Sequence, residues 1–342
     1  MLSLLSILSL LVACGEKEPS SDTGAIVEDT GSEVEDTDTE DTDTSSDDTE
    51  DTEDTTDTQD TTDTQDTEDT EDTDTQDDQS DITDYGLIGP YTYSTSTGTD
   101  SSGSCDLPYS LMTPDGVSDP QLVILGHGFM RSADNMIGWA QHFASWGFEV
   151  AVPSLCHSSI FDVNHAENGL DMVALAATLG GNAIFSGYSA GGLSAVVAAA
   201  SSSDAVGLLG LDATDGGNPL NDNSTYAAGL TIPVMGIAGE PSLCNSDNNG
   251  VALYQNASSS MMLRVTEADH CDFEAPTDMG CEALCQGTNN QFSNEEINNS
   301  ILSLSTAALL WISTQDPEAA KWWTSGGNAY DSLLSNGQIQ EL

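Results

Sequence analysis

Asn182-Ala183-Ile184-Phe185-Ser186-Gly187-Tyr188-Ser189-Ala190-Gly191 is the stretch on which the reading of the fold turns. Residues 182–185 read as a short apolar strand, and residues 191–200, almost all Ala, Val, Gly and Ser, as a helix of small side chains. Ser189 lies where the strand must bend sharply into the helix. A serine there is forced into a strained backbone, and Gly187 and Gly191 are the small neighbours such a bend needs to avoid clashes. The bend lifts the hydroxyl above the sheet edge and leaves the amide of the next residue, Ala190, aimed at a carbonyl that the hydroxyl could attack.

Outward from this turn, apolar runs alternate with helical stretches. Residues 122–125 (Leu-Val-Ile-Leu), 148–152, 206–211, 232–238 and 261–265 read as strands, the second stopped by Pro153. Residues 133–146 have helical spacing through Ile137, Ala140, Phe143 and Ala144, residues 170–179 look helical, and residues 301–312 would close the fold as a last helix. This alternation predicts an α/β fold with a mainly parallel sheet, helices on both faces and right-handed crossovers.

The Gly-x-Ser-x-Gly turn in its strand-turn-helix setting resembles the nucleophile elbow of the α/β-hydrolase family, and the resemblance runs over residues 110–315. Gly126-His127-Gly128-Phe129, directly after the strand at 122–125, resembles the family's oxyanion turn. The resemblance implies that the amides of Phe129 and Ala190 form the oxyanion hole, in which one donor is typically worth about 3 kcal/mol of barrier. It leaves His127 a structural part. The family runs Ser, then acid, then His, and His270 is the one histidine after Ser189, so the resemblance makes it the general base. Asp212, at the end of the strand 206–211 in Leu211-Asp212-Ala213-Thr214-Asp215-Gly216, leads as the acid, because that setting is similar to the pancreatic-lipase and chlorophyllase branches. Ala213 stands where those branches have proline. Asp247, Glu240 and Asp215 stay open as alternatives, since dienelactone and polyester hydrolases place the acid after the later strand. The expected chemistry is acyl transfer on a carboxylic ester, small or polymeric, with no cofactor and no metal. Tyr188, Phe129, Met130 and Trp139 fit an apolar wall for the acyl group or core packing equally well.

The other histidines lie before Ser189. His142 reads as a surface or groove residue beside Trp139 and Trp146, and Asp162, His165 and Glu167 as a solvated loop whose spacing matches no metal site.

Of 58 acidic residues against 4 basic ones, 31 acids fall in residues 16–84 and 27 in residues 85–342, where Arg131, Arg264 and Lys321 are the only basic residues. A formal net charge of -54 argues against nucleic acid as a partner and against adsorption to anionic membrane surface. The first aromatic is Tyr85, and residues 35–78 repeat short units of Asp, Glu and Thr, so residues 14–84 are expected to form a disordered, extended linker. A calcium-binding repeat is the alternative reading. It would need glycines, and there are none between Gly31 and Gly86. Residues 1–13 read as a signal peptide, and Leu11-Val12-Ala13-Cys14 resembles the lipobox of bacterial lipoproteins, which makes Cys14 the lipidation site and the lipid the only membrane contact. Gly15 in place of Asp favours the outer membrane or cell surface. Met1-Leu2-Ser3 lacks the usual Lys or Arg, which points to a start upstream of Met1. The six other cysteines are expected to form disulfides rather than a zinc site, with Cys105 paired to Cys156 and the last four stapling loops near His270.

Residues 85–342 are thus expected to be one α/β-hydrolase domain on an acidic tether. A peptidase or thioesterase on the same fold, or a cell-surface binding lipoprotein with a retired site, are the rival readings.

Overall fold

A computed structural model describes residues 82–216 and 224–342. The leader at 1–13, Cys14 and the acidic segment up to residue 81 lie outside the described residues. Asp84, assigned above to the linker, packs with the body: its carboxylate accepts hydrogen bonds from the Gly86 amide at 3.0 Å and the Ser303 hydroxyl at 3.1 Å.

The described chain is a mixed α/β fold. Its strands are β1 (Tyr93–Asp100), β2 (Leu107–Pro114), β3 (Leu122–Gly126), β4 (Glu149–Pro153), a small hairpin β5 (Ser158–Ser159) and β6 (Asp162–Val163), β7 (Ile184–Tyr188), β8 (Gly207–Leu211), β9 (Val234–Ala238), β10 (Ser260–Val265) and β11 (Ile339–Glu341). Nine of them make one sheet in the order β1-β2-β4-β3-β7-β8-β9-β10-β11. The run from β4 through β10 is parallel, and β1, β2 and β11 are antiparallel additions at the two edges. The central strands are apolar on both faces because helices cover both, as a parallel sheet requires. Val123, Ile184, Leu209 and Met235 point to one face, where α1 (Ile137–Ser145) and α7 (Asn294–Ile312) bring Trp139, Phe143, Ile301 and Leu304. Ile124, Phe185, Leu208 and Val234 point to the other, against Met172 and Leu175 of α2 (His165–Thr178), Leu193 and Val196 of α3 (Ala190–Ser201) and Leu253 of α5 (Asn249–Gln255). Shorter helices α4 (Ser224–Ala228), α6 (Met279–Cys285) and α8 (Asn328–Ser335) complete the set. Among the described residues no helix is long and apolar enough to cross a membrane.

Two helices start earlier than their apolar spacing predicts, and each does so at a cap. Helix α2 begins at His165 because Asn164 accepts the Glu167 amide at 3.1 Å. Helix α7 begins at Asn294 because Ser293 and Glu296 form a reciprocal capping box. The solvated-loop reading of residues 162–167 is therefore corrected: Asp162 is in β6, Glu167 is in the first turn of α2, and His165 is buried. His142 is likewise buried rather than a surface residue, because α7 and the Tyr85 segment cover it. Its Nε2 lies 2.9 Å from the Tyr85 carbonyl and 3.1 Å from the Thr306 hydroxyl. Strands β1 and β2 carry no clear apolar alternation; β1 is a mostly exposed Ser/Thr edge strand.

All six cysteines of the body are in disulfides, Cys105–Cys156, Cys244–Cys285 and Cys271–Cys281. The first pairing is the one expected, and the other two fall around His270.

Candidate active site

The parallel strands end together, and the loops that leave their C-terminal ends carry the candidate residues. Ser189, between β7 and α3, has φ 54° and ψ −127°. A side chain at this φ is strained, and the strain is held by packing that only glycine permits. A Cβ on Gly187 would stand 2.2 Å from the Gly191 carbonyl oxygen, and one on Gly191 would stand 2.5 Å from that of His127. The Ser189 carbonyl accepts the amides of Gly192 at 2.9 Å and Thr214 at 3.0 Å, which fixes the turn from two sides.

The structure brings Ser189, His270 and Asp212 into one buried line. Ser189 Oγ is 3.0 Å from His270 Nε2, and His270 Nδ1 is 2.6 Å from Asp212 Oδ2. Asp212 also has a positive φ, of 41°, and its amide donates to the Ile237 carbonyl at 2.7 Å, so the residue turns off β8 while still tied to β9. Its carboxylate accepts the Gly239 amide at 2.9 Å and the Asn245 side-chain amide at 3.1 Å. These donors leave Oδ2 aimed at the imidazole.

The open alternatives for the acid go elsewhere. Glu240 accepts the Glu267 amide at 3.1 Å and stands 3.9 Å from Arg264, Asp247 is exposed, and the Asp215 amide donates to Asn249. Asn245 is the site residue the sequence reading passed over. It is fully buried, and its side-chain oxygen accepts the Ser242 and Asn248 amides while its nitrogen serves Asp212 and the Glu240 carbonyl. An asparagine beside a cysteine carries no sequence signal for such a role.

His270 starts a short 3-10 turn, residues 270–273, capped by Asp269, whose carboxylate accepts the Cys271 amide at 2.7 Å. The Cys271–Cys281 disulfide, the Trp139 indole donating to the Phe273 carbonyl at 3.0 Å, and the Tyr188 ring 4.7 Å from the imidazole hold the turn in place. Burial, with Glu274 and Asp212 nearby, pushes the Tyr188 phenol well up, so it stays neutral. Burial likewise pushes the Asp272 carboxyl up to about 6.

The turn after β3 packs directly on the serine: a Cβ at Gly128 would lie 3.1 Å from the Ser189 Cβ. Ala190 is the first residue of α3, so its amide has no intrahelical acceptor. Phe129 is half-buried and meets the His165 ring edge-on at 6.2 Å. His127 is committed to the backbone, its Nδ1 donating to the Gly128 carbonyl at 2.9 Å and its Nε2 accepting the Leu155 amide at 2.9 Å. The bond accepted at Nε2 needs a neutral ring, and burial lowers its pKa to about 4. Burial does the same to His165, also to about 4. Of the four apolar candidates, Tyr188 and Trp139 belong to the core, while Phe129 and Met130 stay at the surface of the site.

Arg131 joins this turn to the His270 loop. Its guanidinium forms a two-pronged ion pair with the buried Glu274 and a second contact with Asp278 at 3.0 Å. The chain matches no protein-family model and no curated protein.

Proposed function

We propose that the protein is a serine hydrolase of the α/β-hydrolase class that cleaves carboxylic esters. The observation that carries the proposal is the continuous bond line from Ser189 through His270 to Asp212, with the serine held at positive φ at the start of a helix. In this reaction Ser189 Oγ attacks the ester carbonyl carbon as its proton passes to His270 Nε2. The resulting oxyanion is held by the Ala190 amide and that of Phe129. Collapse expels the alcohol, which takes the proton from His270, and leaves an acyl-serine. Water then attacks the acyl carbon with His270 as base, and the carboxylic acid leaves as Ser189 regains its proton. Asp212 keeps the imidazole in the tautomer with its proton on Nδ1 and stabilises the imidazolium. The residues do this with their own protons and need no cofactor. An ester is favoured over an amide because the leaving alcohol needs less help than an amine; peptidase and thioesterase activity would use the same three residues.

The three disulfides support an exported protein in an oxidising compartment. With them, we read residues 1–13 as the leader, Cys14 as the lipid anchor, and the acidic residues from there up to 81 as the tether that holds the hydrolase off an outer membrane or cell surface. The test is labelling with a fluorophosphonate probe. The full chain should label at Ser189, and Ser189→Ala should neither label nor hydrolyse p-nitrophenyl acetate while keeping its melting temperature. Labelling that persists in Ser189→Ala, or full turnover by it, would end the proposal.

A further inference from the structure

The three large apolar side chains most exposed to water among the described residues, Phe161 at 93%, Leu243 at 88% and Met279 at 83%, lie with Leu284 at 70% and Met130 at 52% in segments that leave the C-terminal ends of the parallel strands. Ile88 and Leu87, before β1, and Leu170, in α2, are exposed apart from this group. Met130 follows β3 and Phe161 follows β4, on one side of Ser189 in the sheet order; Leu243 follows β9, and Met279 and Leu284 follow β10, on the other.

Specific contacts link the segments that carry these five side chains into one arc. The Met130 amide donates to the Ser158 carbonyl at 2.7 Å, which sets Met130 against the hairpin whose tip is Phe161. The next residue, Arg131, pairs with Asp278 at 3.0 Å, and Asp278 precedes Met279. Helix α6 runs from Met279 to Leu284 and Cys285, and Cys285 is bonded to Cys244, the neighbour of Leu243. Disulfides also hold Cys281, inside α6, and Cys156, just before the hairpin. Exposed apolar side chains held by disulfides and an ion pair form a preorganised contact surface, which costs little entropy to engage.

Charge selects the partner. The body has 27 acidic residues against three basic ones. Arg131 pairs with Glu274 and Asp278, Arg264 approaches Glu240 at 3.9 Å, and Lys321 pairs with Glu318. Nothing in this set draws the face to phosphate headgroups, and the net charge repels an anionic bilayer. An apolar arc on a strongly negative body fits an apolar phase without charge.

We propose that this arc docks the protein on the surface of an uncharged, water-insoluble ester, so that Ser189 meets its substrate at an interface. The proposal rests on the ester-hydrolase reading for the nature of the partner, and the experiment separates the two. The full chain carrying Cys14→Ser, so that no acyl anchor forms, and Ser189→Ala, so that nothing is consumed, is mixed with a triolein emulsion and floated. It should rise with the droplets, and adding Phe161→Ser, Leu243→Ser and Leu284→Ser should cut the bound fraction at least tenfold. With Ser189 restored, the triple variant should hydrolyse p-nitrophenyl acetate within about twofold of the parent, which shows that it is folded. Undiminished flotation of the triple variant would overturn the proposal. So would equal binding to phosphatidylglycerol vesicles, or a parent dimer that the three substitutions split, since the arc would then serve a charged bilayer or a second copy. Failure of the parent to hydrolyse p-nitrophenyl acetate would strike the ester-hydrolase reading and leave the flotation result standing.

Discussion

The segments that leave β8 and β9 both begin with an acid within two residues of the strand end, and they part at once. After β8 the chain turns inward: Asp212 takes a φ of 41°, is buried, and bonds His270 at 2.6 Å. After β9 it runs outward, leaving Glu240 half-buried beside Arg264 and Asp247 exposed. What the β9 segment sends back to the site is an amide, through Asn245 and Gly239. A carboxylate becomes useful when its other lone pairs are taken by fixed donors beside the imidazole, and of these three acids Asp212 is so placed. A second carboxylate at that point would repel the first and raise its pKa.

The largest expected effect tests this division directly. Asp212→Asn should lower kcat by about 10⁴-fold, as an amide cannot hold the imidazole tautomer; a rate within tenfold of the parent would move the acid to another residue.

Acid should break the comparison more broadly, through the wall on the other side of the serine. His127 and His165 each have a pKa of about 4 in the fold, against an ordinary value near 6.5. Both groups bind protons more readily when the chain unfolds, so their stabilising effect is complete above pH 6.5 and is lost as pH falls from there towards 4. Each should contribute a loss of about 1.4 kcal/mol per pH unit in that window. Asp272, raised to about 6, acts in the opposite sense, since its protonation favours the fold. Burial lowers the His142 pKa as well, so its effect runs in the same direction as that of the other two. Three imidazoles outweigh one carboxyl, and a melting temperature followed from pH 7 to pH 4 should fall. His127→Gln, which retains a donor and an acceptor, should make the slope shallower by about 1.4 kcal/mol per pH unit.

Asn245→Ala should be milder, lowering kcat by about 10- to 100-fold with KM little changed, because it removes the buried hydrogen bond to the Asp212 carboxylate together with the Asn245 bonds that shape the loop after β9. An unchanged kcat would mean that Gly239 alone orients Asp212. The smallest effect belongs to Asp247→Asn, whose steady-state rate should stay within about twofold of the parent.

Much of this was legible in the residues. The apolar runs at 122–125 and 207–211 are buried on both faces, and strands of that kind need no partner's identity to be recognised. Gly187 and Gly191 flag a close approach, and with an apolar strand before them and a small-residue helix after them the turn at Ser189 could be read from the residues. Other features were not legible. Helix α2 starts at a cap rather than at an apolar repeat, and β1 is an edge strand whose Ser and Thr side chains follow no apolar period. His142 looks polar in sequence and is buried because α7, more than 150 residues later, supplies Thr306 as a partner.

The sequence by itself determined the alternation of strands and helices, the serine turn, and the one histidine that follows it, since these depend on local sterics and chain order. Which acid meets that histidine depended on where β8 and β9 end relative to each other, and on an asparagine 33 residues from Asp212 that closes on it only in space. Local chemistry cannot distinguish Asp212 from Glu240 or Asp247. Their difference is the set of donors around each carboxylate, and tertiary packing alone assembles those.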